Sequence, residues 1–141
     1  MLNIKNRLKK TRDFNLVLKH GHWVSGDLIS LKILDLSKLK QEKLPKSIKT
    51  GTLEQQESFK NELRLAFSVG LKIHKNAVKR NRLKRQLRET ARLMIKEEKL
   101  KPGYYILTQP KKELLQIDDE KRMAKISQEL KLLFKKGKIL K

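Results

Sequence analysis

The sequence predicts an α+β domain with helices packed on a small sheet, and three observations predict it. Apolar residues alternate with polar ones in two separate runs, "LISLKILDL" and "LRLAFSV", which is the period of a strand with one face buried. Nothing from Ala77 to Lys99 breaks a helix, and its apolar residues recur every three or four positions. A β-like run, "YYILT", follows and leads into a closing segment of helical period, so strands and helices interleave. The order is α-β-β-α-β-α, with room for an extra short strand near Trp23 to Asp27 and helices covering one face of the sheet.

In chain order, Thr11 is placed as an N-cap, Asp13 in the first turn, and Gly21 where the first helix stops. Phe14, Val17 and Leu18 form one apolar stripe on that short helix. Ile29, Leu31 and Ile33 then alternate with Ser30 and Lys32 on a strand. Residues 37 to 60 show no sustained period and contain Pro45 and Gly51. A stretch longer than most connections in a compact domain reads as a flexible insertion, with at most one helical turn around Glu54 to Lys60. On the next strand Leu63, Leu65, Phe67 and Val69 point one way, and Arg64, Ala66 and Ser68 the other.

Asn76 can cap the long helix, and steps of about 100° place Leu83, Leu87, Thr90, Ala91 and Met94 on a core seam. Asn81, Arg85, Arg88 and Arg92 fall opposite, with Arg82 and Lys84 on the flanks and Arg80 nearer the seam. "PGYYILT" restarts a strand behind a turn, and Met123, Ile126, Leu130, Leu133 and Phe134 step along the closing helix. The 141 residues are expected to make a single domain, 1–141.

Composition sets the class of partner. The chain holds 36 Lys plus Arg against 15 Asp plus Glu, a formal net charge of +21, and such self-repulsion is usually kept because a polyanion relieves it. There is no Cys, which excludes disulfides, thiolate zinc sites and cysteine nucleophiles. Neither a signal peptide nor a membrane-length apolar run is seen, so a soluble, cytoplasmic protein is expected. His20, His22 and His74 lack a third ligand of matching spacing, and the acids Asp118, Asp119 and Glu120 are explained by the dipole of the helix they open.

Arginine sharpens the reading. Five of the nine Arg (Arg80, Arg82, Arg85, Arg88, Arg92) lie within residues 75–92, whereas 27 Lys are scattered along the chain. Guanidinium is planar and bidentate toward phosphate, so its clustering marks a contact surface where lysine drift would not. Solvated helix faces mix signs, and here only Arg85 with Glu89 forms an attractive i, i+4 pair. DNA-reading helices sit in compact helix-turn-helix units, while strands flank this one, so RNA is the expected partner and DNA is not. Phe14, Trp23, Phe67, Tyr104 and Tyr105 are candidates for stacking on bases.

The segment "NAVKRNRLKRQLRE" resembles the signature A-x-x-R-N-R-x-K-R-x-x-R of the bacterial ribonuclease P protein family, carried here by Ala77, Arg80, Asn81, Arg82, Lys84, Arg85 and Arg88. "NRLKKTRDFNLVLKHG", "LRLAFSV" and the final strand and helix extend the likeness over nearly the whole chain except 37–60. The resemblance implies an α-β-β-β-α-β-α sandwich of a ribosomal-protein type, with a mixed sheet and a left-handed βαβ crossover against the usual rule. It also implies a protein subunit of a ribonucleoprotein endonuclease that removes the 5′ leader of precursor tRNA. The catalytic centre and its magnesium ions would then lie on the RNA, with no cofactor bound by the protein alone and no catalytic residue in it.

Position by position, the resemblance makes Arg80, Asn81, Arg82, Lys84, Arg85 and Arg88 contacts to catalytic RNA, and Arg92 extends the same row. Phe14 would line a cleft for the leader. Leu18 stands where the family commonly has a second Phe and Lys32 where an aromatic often lies, so packing and charge replace stacking there. "LKIHKNAV" lacks the family's usual glycine before the signature. A structural RNA-binding protein of ribosomal type is the alternative with the same charge and elements. A membrane-surface role is disfavoured because the long helix has no Trp or Phe on its apolar face.

Overall fold

A computed structural model describes residues 2–141. Five helices and four strands follow a short 3-10 turn at Ile4–Asn6: α1 (Thr11–His20), β1 (His22–Ser25), β2 (Ile29–Asp35), α2 (Lys46–Lys49), α3 (Leu53–Lys60), β3 (Leu63–Phe67), α4 (Ala77–Lys96), β4 (Tyr104–Pro110) and α5 (Asp119–Lys136). The sheet order is β1-β2-β4-β3. β1 with β2 and β2 with β4 are antiparallel, while β3 and β4 are parallel and joined through α4. The extra strand anticipated near Trp23 is β1.

The alternation in β2 and β3 is realised. Ile29, Leu31, Ile33, Leu65 and Phe67 are buried together with Ile106 beneath α4 and α5. From α4 come Leu83, Leu87, Ala91 and Met94, with Thr90 buried beside them, and from α5 come Ile126, Leu130, Leu133 and Phe134. Removing this seam from water is what holds the long helix to the sheet.

Helices cover both faces of the sheet, not one. Leu34, Tyr105 and Leu107 point the other way and are buried with Leu16 and Val17 of α1 and with Leu36, Leu39, Leu44 and Phe59. The physical reason lies in β4, where Tyr105, Ile106, Leu107 and Thr108 are buried consecutively, as befits a central strand packed on both sides.

Within residues 37–60 the helical turn expected around Glu54 to Lys60 is α3, Leu53–Lys60, and the remainder is more regular than a stretch without sustained period suggests. These residues hold two 3-10 turns, α2 and α3, and they bury Leu39, Leu44 and Phe59. Thr52 and Gln55 form a capping box: the Thr52 hydroxyl accepts from the Gln55 amide at 3.1 Å, and the Gln55 side chain accepts from the Thr52 amide at 3.0 Å. The Phe59 ring then meets Tyr105 edge-on, with centroids 5.9 Å apart. The Tyr105 hydroxyl donates to the Glu62 carboxylate at 2.6 Å.

On α1, Lys10 occupies the N-cap position without a side-chain cap bond, and Thr11 is the first helical residue. Leu16 and not Leu18 joins Val17 in the core, leaving Leu18 48% exposed.

Candidate nucleic-acid interface

The α4 helix starts where Asn76 caps it, its side-chain oxygen accepting from the Val78 amide at 2.8 Å. The His74 ring accepts from the Asn76 amide at 2.9 Å, which gives that histidine a place in the turn. With Leu83, Leu87, Ala91 and Met94 fixed inward, helical geometry turns the signature residues outward. Asn81, Arg82 and Arg85 are exposed, and Arg80, Lys84, Arg88 and Arg92 are partly buried. Arg80 is the most integrated, because its Nε is buried without a hydrogen-bond partner among the described residues.

Two of the seven are already matched by acids. Arg82 meets Asp119 of α5 at 2.7 Å, clasping the two helices. Arg92 grips Glu89 through both Nη2, at 2.6 Å, and Nε, at 3.0 Å. Those Arg92 hydrogen bonds hold the Glu89 carboxyl below its ordinary range and raise the guanidinium in turn. Glu89 was expected to face Arg85, but the bidentate fork to Arg92 wins one turn on the other side. Among the described residues, Arg80, Lys84, Arg85 and Arg88 meet no acid at ion-pair distance.

An open groove of about 530 Å³ runs beside this face, lined by Phe14, Ala66, Phe67, Ser68, Lys84 and Arg88 among others. The fold therefore brings Phe14 of α1 together with two signature cations of α4. Leu18 and Lys32 do not line that groove. The Lys32 ammonium donates to the Leu18 carbonyl at 2.8 Å and stands 5.4 Å from the centroid of the Trp23 ring.

Strand register connects the two places. Trp23 is opposite Lys32, Lys32 opposite Leu107, and Leu107 opposite Ala66, which places all four in one row on one face. A polar row follows, with Ser25 opposite Ser30 and Ser30 opposite Gln109. Ser30 and Gln109, which stand on that row, were not singled out from the sequence. Their signal was present in the alternate positions of "LISLKIL" and "YYILTQP", which become informative only once the strands are paired.

The donor set does not fit a metal. Among the described residues no group of three or more His, Cys, Asp or Glu is placed to hold one. Asp119 is committed to Arg82 and to Arg122, a buried guanidinium that also donates to the Ile117 carbonyl at 2.9 Å. Nor is any helix among the described residues long and apolar enough to cross a membrane.

Comparison with known proteins agrees with this geometry. The family model for ribonuclease P matches residues 2–138. The ribonuclease P protein component of Trichormus variabilis is 31% identical over 102 residues, covering 72% of this chain and 71% of that protein. That of Nostoc punctiforme is 33% identical over 103 residues, again 72% and 71%. The Staphylococcus aureus RNase P protein superposes with a TM-score of 0.65 at 22% identity, covering 96% of this chain and 97% of the other. The Thermotoga maritima RNase P protein does so with a TM-score of 0.60 at 22% identity, covering 91% and 94%. The fold, the signature on α4 and the family match together make this chain a member of the ribonuclease P protein family.

Proposed function

We propose that this chain binds the catalytic RNA of ribonuclease P through the outward face of α4 and takes the 5′ leader of precursor tRNA into the groove that begins at Phe14. The observation that carries this is the sharing of Lys84 and Arg88 between the basic face and the groove. An RNA lying on α4 thus delivers a neighbouring single strand directly to Phe14. Arg80, Lys84, Arg85 and Arg88 supply charge not already spent on acids, and each phosphate they meet releases a counterion. Further along the row, Trp23 offers a half-exposed ring on which a base can stack, with the Lys32 ammonium beside it for a phosphate.

Hydrolysis in this reading belongs to the RNA subunit and its magnesium ions, as the family resemblance implies, and of the acids that open α5, Asp119 is engaged by Arg82 and Arg122. The protein's residues bind, orient and neutralise, and we place that activity in the cytoplasm. A purely structural RNA-binding role of ribosomal type shares the charge, but the family match runs against it. The test is cleavage of a 5′-extended precursor tRNA at low magnesium with cognate RNA alone, protein alone, and both. Efficient cleavage only by the mixture supports the reading. Unchanged activity of the RNA with protein still bound supports the structural role, and cleavage by protein alone overturns both.

A further inference from the structure

A second cationic basin lies away from α4. It is an open depression of about 640 Å³ formed where α1 and α5 end, at the close of β2 and the start of β4. Five exposed lysines border it: Lys38, Lys40 and Lys43 from the turns after β2, and Lys136 and Lys138 from the end of α5. The rings of His20, His22 and Tyr104 stand among them. We propose that this basin is a second RNA site, holding the phosphodiester backbone of a single-stranded segment on its lysines and bases on its rings.

The lysines are displayed by construction. Leu36, Leu39 and Leu44 are buried in the core on the α1 side of the sheet, so the residues between them are turned outward on a fixed scaffold. Helix C-termini attract cations, and that bland explanation can be weighed. Each of the two helix ends contributes about half a negative charge, and Asp35 one more, against five positive charges. The Asp35 carboxylate already accepts from the amide and hydroxyl of Ser37, at 3.0 and 2.7 Å. None of the five lysines has an ion-pair partner among the described residues. About three positive charges are left over.

The surplus exceeds what one phosphate neutralises, and the basin is open, which favours a chain of monoanionic phosphodiesters. An anionic membrane would need exposed apolar side chains beside the lysines, but Leu34 and Leu39 at the basin are buried. Tyr104 is four residues before Thr108, the partner of Phe67 at the groove, so the two sites are separated by about 13 Å along the sheet at about 3.3 Å per residue. The two sites are therefore distinct positions on the sheet. The identity of the RNA in the basin rests on the proposed function, with the catalytic RNA and the precursor tRNA as its two sources.

The test measures affinity of the full-length protein for the catalytic RNA, and of the holoenzyme for precursor tRNA, over a series of KCl concentrations. The variant is Lys38→Gln, Lys43→Gln, Lys138→Gln, which removes charge from exposed positions and leaves every buried leucine in place. Its slope of log affinity against log salt should be shallower by about 2, at about 0.7 per single-strand phosphate, for one of the two probes. A change with catalytic RNA alone assigns the basin to that subunit, and a change with precursor tRNA alone assigns it to substrate. Lys40→Glu, Lys136→Glu should weaken binding to the same probe further. Unchanged slopes in both basin variants, with Arg85→Ala, Arg88→Ala still impaired, overturn the basin and spare the α4 reading. If the arginine variant is also unimpaired, both fall.

Discussion

Ion pairs on α4 divide its cations into two groups that a salt titration can separate. Arg85 and Arg88 meet no acid among the described residues, whereas Arg82 faces Asp119 at 2.7 Å and Arg92 faces Glu89 at 2.6 Å. Replacing Arg85 and Arg88 by alanine removes two phosphate contacts, so the slope of log affinity against log salt should flatten by about 1.4 to 1.8. Over a fourfold rise in salt, wild type should then lose about 7 to 12 times more affinity than this variant. The Arg82→Ala, Arg92→Ala variant should flatten the slope by less than about 1, because each guanidinium already has a counter-charge in the protein. Asp119→Asn frees Arg82 and should steepen the slope by up to about 0.9. Filter binding of the catalytic RNA at several KCl concentrations reads all of these. Equal slopes in the two double variants would refute the division, and no change in either would refute α4 as the RNA face.

Three further outcomes are expected. Phe59→Ala empties a site that is 2% exposed and removes the edge-on contact with Tyr105, so chemical denaturation should show a loss of about 3 to 5 kcal/mol; a loss under about 1 kcal/mol would mean that α3 contributes little to the fold. Burial, then the bond to Glu62, push the Tyr105 hydroxyl far above its ordinary value of 10.0, so the folded state keeps a proton that the unfolded state releases. The stability difference between wild type and Tyr105→Phe should accordingly be constant below about pH 10 and shrink above it, and a difference that grows with pH would contradict the burial. Trp23→Ala should weaken holoenzyme binding to leader-bearing precursor tRNA by about 1 to 3 kcal/mol and leave mature tRNA unaffected; equal losses on both would remove Trp23 from the leader path.

What could be read in the sequence follows from where one interaction dominates. All five seam residues of α4 were legible because twenty uninterrupted helical positions leave one way to bury Leu83, Leu87, Thr90, Ala91 and Met94. On α1 the apolar positions 14, 16, 17 and 18 crowd together, and a ten-residue helix satisfies the i, i+3 and i, i+4 rule with either Leu16 or Leu18. Tertiary packing chose Leu16. Of the helices in 37–60 only α3 was anticipated, as a turn around Glu54 to Lys60, and the rest was hidden because its stability comes from single anchors, Leu39, Leu44 and Phe59, placed on a partner face that belongs to β4. Only the capping box Thr52 to Gln55 was there to announce α3. For the site, the signature located the cations, but whether an acid neutralises them depends on α5 and on rotamers, which spacing does not encode. Lys32 and Leu18 were assigned to the leader cleft with Phe14, and only the folded chain shows that the Lys32 ammonium meets the Leu18 carbonyl and the Trp23 ring, outside the groove that Phe14 lines.

The placement of β4 also governs when this fold can come into existence. It is hydrogen-bonded to β2 on one side and β3 on the other, so every pairing among the four strands except the β1–β2 hairpin waits for residues 104–110. During synthesis at about 5 to 20 residues per second, several seconds pass between the emergence of β2 and the arrival of the strand it needs. Once α4 emerges near the end of that interval, its seam has no finished sheet to cover it until residues 104–110 follow, while its arginines are already displayed. A nascent chain in this state is amphipathic and strongly cationic beside the ribosome, itself an RNA surface.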